Sequence, residues 1–176
     1  FRQETTGGGK ETIAGERNFP EIREVGELSG PWEVTYDRRW GGPEKIVFEK
    51  LEDWSKRAED GIRHYSGTAT YRKAFDLPAA VAALRDERLY LDLGAVKEVA
   101  QVRLNGEDLG VLWCAPWRAD ITAAVKPSGN QLEIDVVNLW PNRLIGDAGL
   151  PAEKRLGRTN VTFSAASPLL PSGLLG

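Results

Sequence analysis

The strongest constraint on the fold is the alternation of apolar and polar residues between Arg88 and Trp140. Leu89, Leu91 and Leu93 alternate with Tyr90 and Asp92. Val102 and Leu104 alternate with Gln101 and Arg103, and Leu132, Ile134 and Val136 with Glu133 and Asp135. A β-strand turns successive side chains to opposite faces, so a period of two gathers the apolar residues of each run on one side. Three strands follow, each with one face on a core. Asn105-Gly106-Glu-Asp108 supplies a four-residue hairpin loop before Leu109.

The pattern continues upstream. Trp32, Val34 and Tyr36 alternate with Glu33 and Thr35, Ile46 to Phe48 reads as a short strand, and His64 to Phe75 is rich in β-formers and stopped by Leu77-Pro78. Asp37 to Pro43 is a turn, and Glu52 to Gly61 a charged surface loop. Ala79 to Arg85 breaks the pattern with high helix propensity behind Pro78, a short surface helix. Downstream, Pro141 to Asp147 reads as a loop and Thr159 to Phe163 as a last short strand. The tail from Ser167, broken by Pro and Gly, takes an irregular course along the body. Residues 1–27 read as a linker or edge segment from a preceding domain, and 28–176 as one domain. Many short strands, with turn signals roughly every ten residues, specify an all-β, antiparallel sandwich or barrel with one or two short surface helices.

Composition narrows the function. A chain of 176 residues can build a core without disulfides, and its one cysteine, Cys114, forms no internal bridge. A net charge of -3 gives no basic footprint for nucleic acid. No apolar run of about 18 residues is present, so no membrane partner is expected. Methionine is absent even at position 1, which reads as a piece of a longer protein. One histidine and one cysteine leave no His/Cys cluster for a transition metal. His64 lacks the partners of a serine or cysteine nucleophile, and Gly7-Gly-Gly9 lacks the Lys-Ser/Thr ending of a P-loop. A glycosidase needs two carboxylates facing each other across the scissile bond; some pair exists among any 26 acidic residues, but most of these fall on polar strand faces or in loops such as Glu52-Asp53 and Glu59-Asp60, with no pocket evident to pair them. No catalytic residue is expected.

Aromatic residues point to sugar binding, because the apolar face of a pyranose packs on an indole while planar polar groups take its hydroxyls. Of six tryptophans, Trp32 sits at an inward strand position. Trp40, beside Gly41-Gly42-Pro43, and Trp54, in the charged loop, are secondary candidates. Trp113, Trp117 and Arg118, with Trp140, Asn142 and Arg143, lie in two strand-ending loops expected to meet at one end of the fold.

A family resemblance rests on these same residues. The succession Gly67-Thr-Ala-Thr-Tyr71-Arg-Lys-Ala-Phe75, Leu91-Asp-Leu-Gly94, Val102-Arg-Leu-Asn-Gly106-Glu-Asp-Leu-Gly110, Ala115-Pro-Trp-Arg-Ala-Asp120-Ile-Thr122 and Gly129-Asn-Gln-Leu132-Glu-Ile resembles the sugar-binding jelly roll, galactose-binding-domain-like, of family 2 glycosidases. Ser29-Gly-Pro-Trp32, Asn138-Leu-Trp-Pro-Asn-Arg-Leu-Ile-Gly-Asp147 and Leu170-Pro-Ser-Gly-Leu-Leu-Gly176 are similar to the C-terminal portion of family 106 α-L-rhamnosidases. The resemblance covers most of 28–176. It implies a non-catalytic β-sandwich that serves a glycoside hydrolase acting on plant or algal polysaccharide. The barrel that carries acid and base in those enzymes is absent, so no carboxylate inherits a catalytic role. It also implies that His64, Tyr65, Asn142, Arg143 and Asp147 contact a sugar or the partner domain. The alternative is that Arg143 and Asp147 pair across their own loop. The implied partners are a rhamnose- or galactose-containing glycan and the catalytic domain of the same polypeptide. No cofactor is required, and the resemblance allows a structural calcium. It favours a bacterial periplasmic or secreted setting, which sets aside the Asn160-Val-Thr162 glycosylation sequon. Two other readings stay open: a free-standing carbohydrate-binding module, and a structural domain that only packs on a barrel.

Overall fold

The alternating runs pair into antiparallel sheets. The computed structural model describes residues 2–5, 21–84 and 87–176. Among these residues the strands are β1 (Arg2–Thr5), β2 (Glu21–Glu24), β3 (Trp32–Tyr36), β4 (Ile46–Phe48), β5 (Thr68–Phe75), β6 (Leu89–Asp92), β7 (Val96–Lys97), β8 (Val99–Leu104), β9 (Glu107–Leu112), β10 (Arg118–Asp120), β11 (Asn130–Val137) and β12 (Gly173–Leu174). Short helices α1 (Asp60–Arg63) and α2 (Ala79–Ala82) and the longer α3 (Pro141–Ala148) connect them. One sheet runs β4-β3-β5-β11-β8-β9 and a second β10-β6-β1-β2, while β12 pairs with β7. The inward faces of the two larger sheets share one apolar core, which makes the fold a β-sandwich.

Register explains the alternation. Tyr71 lies opposite Val34 on one side and Ile134 on the other, and Ile134 lies opposite Val102. This inward row is completely buried. One residue further along, the outward row is Glu33, Arg72, Glu133 and Arg103, with Glu133 accepting from Arg72 Nε at 2.7 Å and from Arg103 Nε at 2.9 Å. Charges of alternating sign line the solvent side, as cross-strand neighbours require.

Aromatic rings fill the core beneath β3 and β5. Trp54 stacks on Tyr71 and donates its indole N–H to the Tyr71 hydroxyl at 2.6 Å. Tyr36 meets Trp54 and Tyr65 edge to face, with centroids 5.4 and 4.8 Å apart. Burial pushes the Tyr36 phenol well above its ordinary range, with neighbouring Tyr71 adding to the effect.

Several expectations are corrected. Glu52 to Gly61 is not a surface loop throughout: Asp53 and Trp54 are buried, and Asp53 accepts from Ser55 N and Ser172 N. The hairpin loop has two residues rather than four, because Asn105 and Gly106 both adopt positive φ (55° and 87°) and Leu104 pairs directly with Glu107. Such a turn follows the natural strand twist. Pro141 to Asp147 is helical, and Thr159 to Phe163 forms no strand. The tail does more than follow the surface: Leu174 is buried, pairs with Val96 and donates its N–H to Tyr71. The expected helix from Ala79 is found over Ala79–Ala82, while Arg85 lies outside the described residues. Within 1–27, β1 and β2 form an antiparallel pair on the edge of the second sheet, and Gly7-Gly-Gly9 lies outside the described residues.

Candidate functional site

The entrance to β5 and the exit from β11 are stitched together by side chains. Asn138 accepts from Gly67 N at 2.9 Å and donates to the Tyr65 carbonyl at 2.8 Å. Ser66 Oγ donates to the Leu139 carbonyl at 2.8 Å and accepts from Arg143 N at 3.2 Å. These bonds seat α3 across the end of the large sheet. Sequence reasoning missed Asn138, Ser66 and Ser172. A signal for Asn138 was present, because it continues the inward parity of Leu132, Ile134 and Val136, where a polar group must be hydrogen-bonded.

Helix α3 holds three of the expected residues by its buried side. Asn142, 1% exposed, donates to the Leu170 carbonyl (2.7 Å) and Ser172 Oγ (2.9 Å) and accepts from Leu170 N (2.8 Å). Its polar atoms are occupied by the tail, which corrects its assignment as a sugar contact. Arg143 and Asp147, 6% and 3% exposed, form an ion pair at 3.0 Å one helical turn apart. The contact runs from an Arg143 terminal amino group to Asp147 Oδ1 without hydrogen-bond geometry, and among the described residues Asp147 Oδ1 and Arg143 Nε have no hydrogen-bond partner. Asp147 Oδ2 accepts from Gly157 N at 2.6 Å and so ties the following loop to the helix. This is the alternative pairing, made within a helix instead of a loop.

His64 caps the C-terminal end of α1 and packs against Gly146. A Cβ at Gly146 would stand 2.7 Å from His64 Cγ and 2.9 Å from an Arg143 amino group. Burial lowers the imidazole pKa first, followed by the cations Arg63 and Arg143, so His64 is neutral at neutral pH. Tyr65 and Trp54 are core residues, which corrects both as binding candidates: the Tyr65 hydroxyl donates to the Thr68 carbonyl (2.7 Å) and accepts from Asp37 N (3.0 Å).

The remaining candidates divide between two places. The register sets Leu112 and Val136 on either side of Ala100, so the loops after β9 and β11 leave from the same end of the sheet. Trp113, 75% exposed, faces solvent there, while Trp117 packs partly on the core and Arg118 Nε pairs with Asp92 at 2.8 Å. Trp140, 49% exposed, finds Trp40 instead, edge to face at 4.9 Å. These two indoles, with Leu144, Leu156 and Arg158, line an open groove of about 480 Å³. The groove is a concave place where two sequence candidates, Trp40 and Trp140, gather. Among the described residues no three His, Cys, Asp or Glu side chains converge as a metal site.

Residues 50–153 match the family model described as "Glycosyl hydrolase 2 galactose-binding domain-like". The chain belongs to that family. Its galactose-binding-like domain is similar to a rhamnosidase from Novosphingobium sp. PP1Y, with 40% identity and a TM-score of 0.81 over 94% of this chain and 15% of that one. It is 44% identical over 126 residues to a protein of Formosa agariphila that carries a β-glucuronidase name, covering 72% of this chain and 11% of that protein. A Ruminococcus gnavus β-glucuronidase shares the fold at 22% identity and a TM-score of 0.52 over 63% of this chain and 21% of that one. The galactose-binding-like domain thus spans a small fraction of the proteins it resembles.

Proposed function

We propose that this chain is a non-catalytic accessory domain of an α-L-rhamnosidase-type glycoside hydrolase, bracing the catalytic domain and presenting a rhamnose- or galactose-containing glycan to it. The observation that carries the reading is the near-complete overlay on the Novosphingobium rhamnosidase at 40% identity, over only 15% of that chain. The disposition of the carboxylates supports a non-catalytic role. Among the described residues the two buried acids are both committed, Asp53 to backbone amides of Ser55 and Ser172, and Asp147 to Arg143 and Gly157. A general acid and base need carboxylates free to face a substrate.

A free-standing carbohydrate-binding module is the second reading, favoured by the exposure of Trp113 and Trp140. Calorimetric titration with rhamnose, galactose and pectic oligosaccharides tests whether the domain holds glycan. Heat that Trp140→Ala abolishes is expected, and no heat at millimolar ligand would leave a purely structural role. Release of reducing sugar by this chain alone would overturn the non-catalytic reading.

A further inference from the structure

The loop after α3 has a charge unlike the rest of the molecule. Residues 151–163 carry Lys154, Arg155 and Arg158 against the single carboxylate Glu153, in a chain with a net charge of -3. Arg158 makes no ion pair or hydrogen bond among the described residues. Among the described residues the Arg155 side chain donates only through Nε, to the Leu150 carbonyl at 2.9 Å, leaving both terminal amino groups unengaged. The loop is also built rather than slack. Gly157 approaches α3 so closely that a Cβ would stand 2.9 Å from Leu144 and 3.3 Å from Asp147, and its N–H is held by Asp147.

Arg158 belongs to two grooves at once. On one side is the Trp40–Trp140 groove of about 480 Å³. On the other, a polar groove of about 710 Å³ runs between α3 and the loop, where Arg155, Thr159 and Asn160 lie along it with Glu153 and the Arg143-paired Asp147. Both volumes fall in the range of small-ligand sites, and they share Leu144, Gly157, Arg158 and Thr159. An indole platform beside the unpaired Arg158, in a loop whose two arginines and Lys154 outnumber its one carboxylate, suits a sugar ring that bears a carboxylate. The ring packs on the indole, and the fork of Arg158 meets the carboxylate in bidentate geometry. A second protein domain seated here would cover the same indoles, but the hydroxyl and amide groups lining the polar groove match a hydroxylated ligand better.

Building on the accessory-domain reading, we infer that the Trp140–Arg158 groove binds acidic oligosaccharides, chains containing hexuronic acid units, in preference to neutral ones. The test titrates this chain with tetragalacturonate and with neutral β-1,4-galactotetraose, following tryptophan fluorescence and heat. Tetragalacturonate is expected to bind about tenfold more tightly, with the advantage shrinking as salt rises from low to about 0.5 M. Arg158→Gln should remove that advantage and leave galactotetraose unchanged, while Trp140→Ala should weaken both about tenfold. Because Arg158 is exposed, its variant should melt at the parent temperature, separating binding from folding. Equal affinity for the two ligands, or a preference that survives Arg158→Gln, would overturn the inference and leave the accessory glycan-holding role standing. Binding of neither ligand at 20 mM, roughly the weak end for single sugar sites, overturns the inference, and silence toward rhamnose and galactose as well removes the glycan-holding role with it.

Discussion

Asn142 shows how a residue that looks like a ligand contact can be a structural staple. Amides at a strand-ending loop suit sugar hydroxyls, but three bonds to Leu170 and Ser172 fill its donors and acceptor. Asn142→Ala should therefore lower stability by about 2–3 kcal/mol, measured by urea unfolding, and speed exchange of the Leu170 amide proton. The surface that carries Trp140 should be unaffected. His64 has a different consequence. Its pKa is lowered in the folded state, so between that value and the ordinary imidazole value the unfolded chain binds more protons. Stability is then fully present above about pH 6.5 and declines as pH falls through the folded pKa. His64→Gln should flatten that part of the stability-pH curve, and an unchanged slope would show that His64 does not titrate against Arg143 and Arg63. At this scale inward aliphatic positions were legible because parity alone determines them. Trp54 and Tyr65 were not, because their loops have no period to read, and burial there comes from the tail and from β3 packing over them.

Helix α3 is where local preference and tertiary structure part. Pro141, Asn142, Gly146 and Gly149 are weak helix formers, so the segment reads as a loop. It becomes helical because Asn142, Arg143, Ile145 and Asp147 all find buried partners on one side. A buried ion pair is costly to break from one end, since the remaining charge is stranded. Asp147→Asn should cost about 3 kcal/mol in thermal or chemical unfolding even though the amide keeps an acceptor for Gly157. The double variant Arg143→Met, Asp147→Leu should recover a good part of that loss. The same helix explains why the candidate site was only half legible. Trp40 and Trp140 lie 100 positions apart, and their contact exists only once α3 crosses the sheet end. The β8–β9 hairpin failed in a smaller way, since Asn-Gly was read correctly as a turn signal but its two positive φ angles shorten the loop.

On the scale of the whole molecule, the strands were readable one by one and their order was not. β5 takes β11 and β3 as neighbours, pairings across long stretches of chain that no local pattern encodes. The tail is the clearest case. Ser172 N bonds Asp53, Trp54 N bonds the Ser172 carbonyl, Leu175 N bonds the Ala95 carbonyl, and Gly173 lies so close that a Cβ would stand 2.5 Å from the Trp54 indole nitrogen. Deleting residues 171–176 should uncover Trp54 and Tyr71 and remove about 5 kcal/mol or more, most of the stability of an ordinary domain. Near-ultraviolet circular dichroism should then lose its aromatic signal; a truncated chain that melts cooperatively near the parent temperature would contradict this. The same arrangement governs the order of events during synthesis. A ribosome delivers Trp54 long before Leu174, so the aromatic centre must wait, open to water, until residues 171–176 have been made. Until residues 171–176 have emerged, that aromatic surface stays exposed, the kind of transient apolar exposure that favours aggregation.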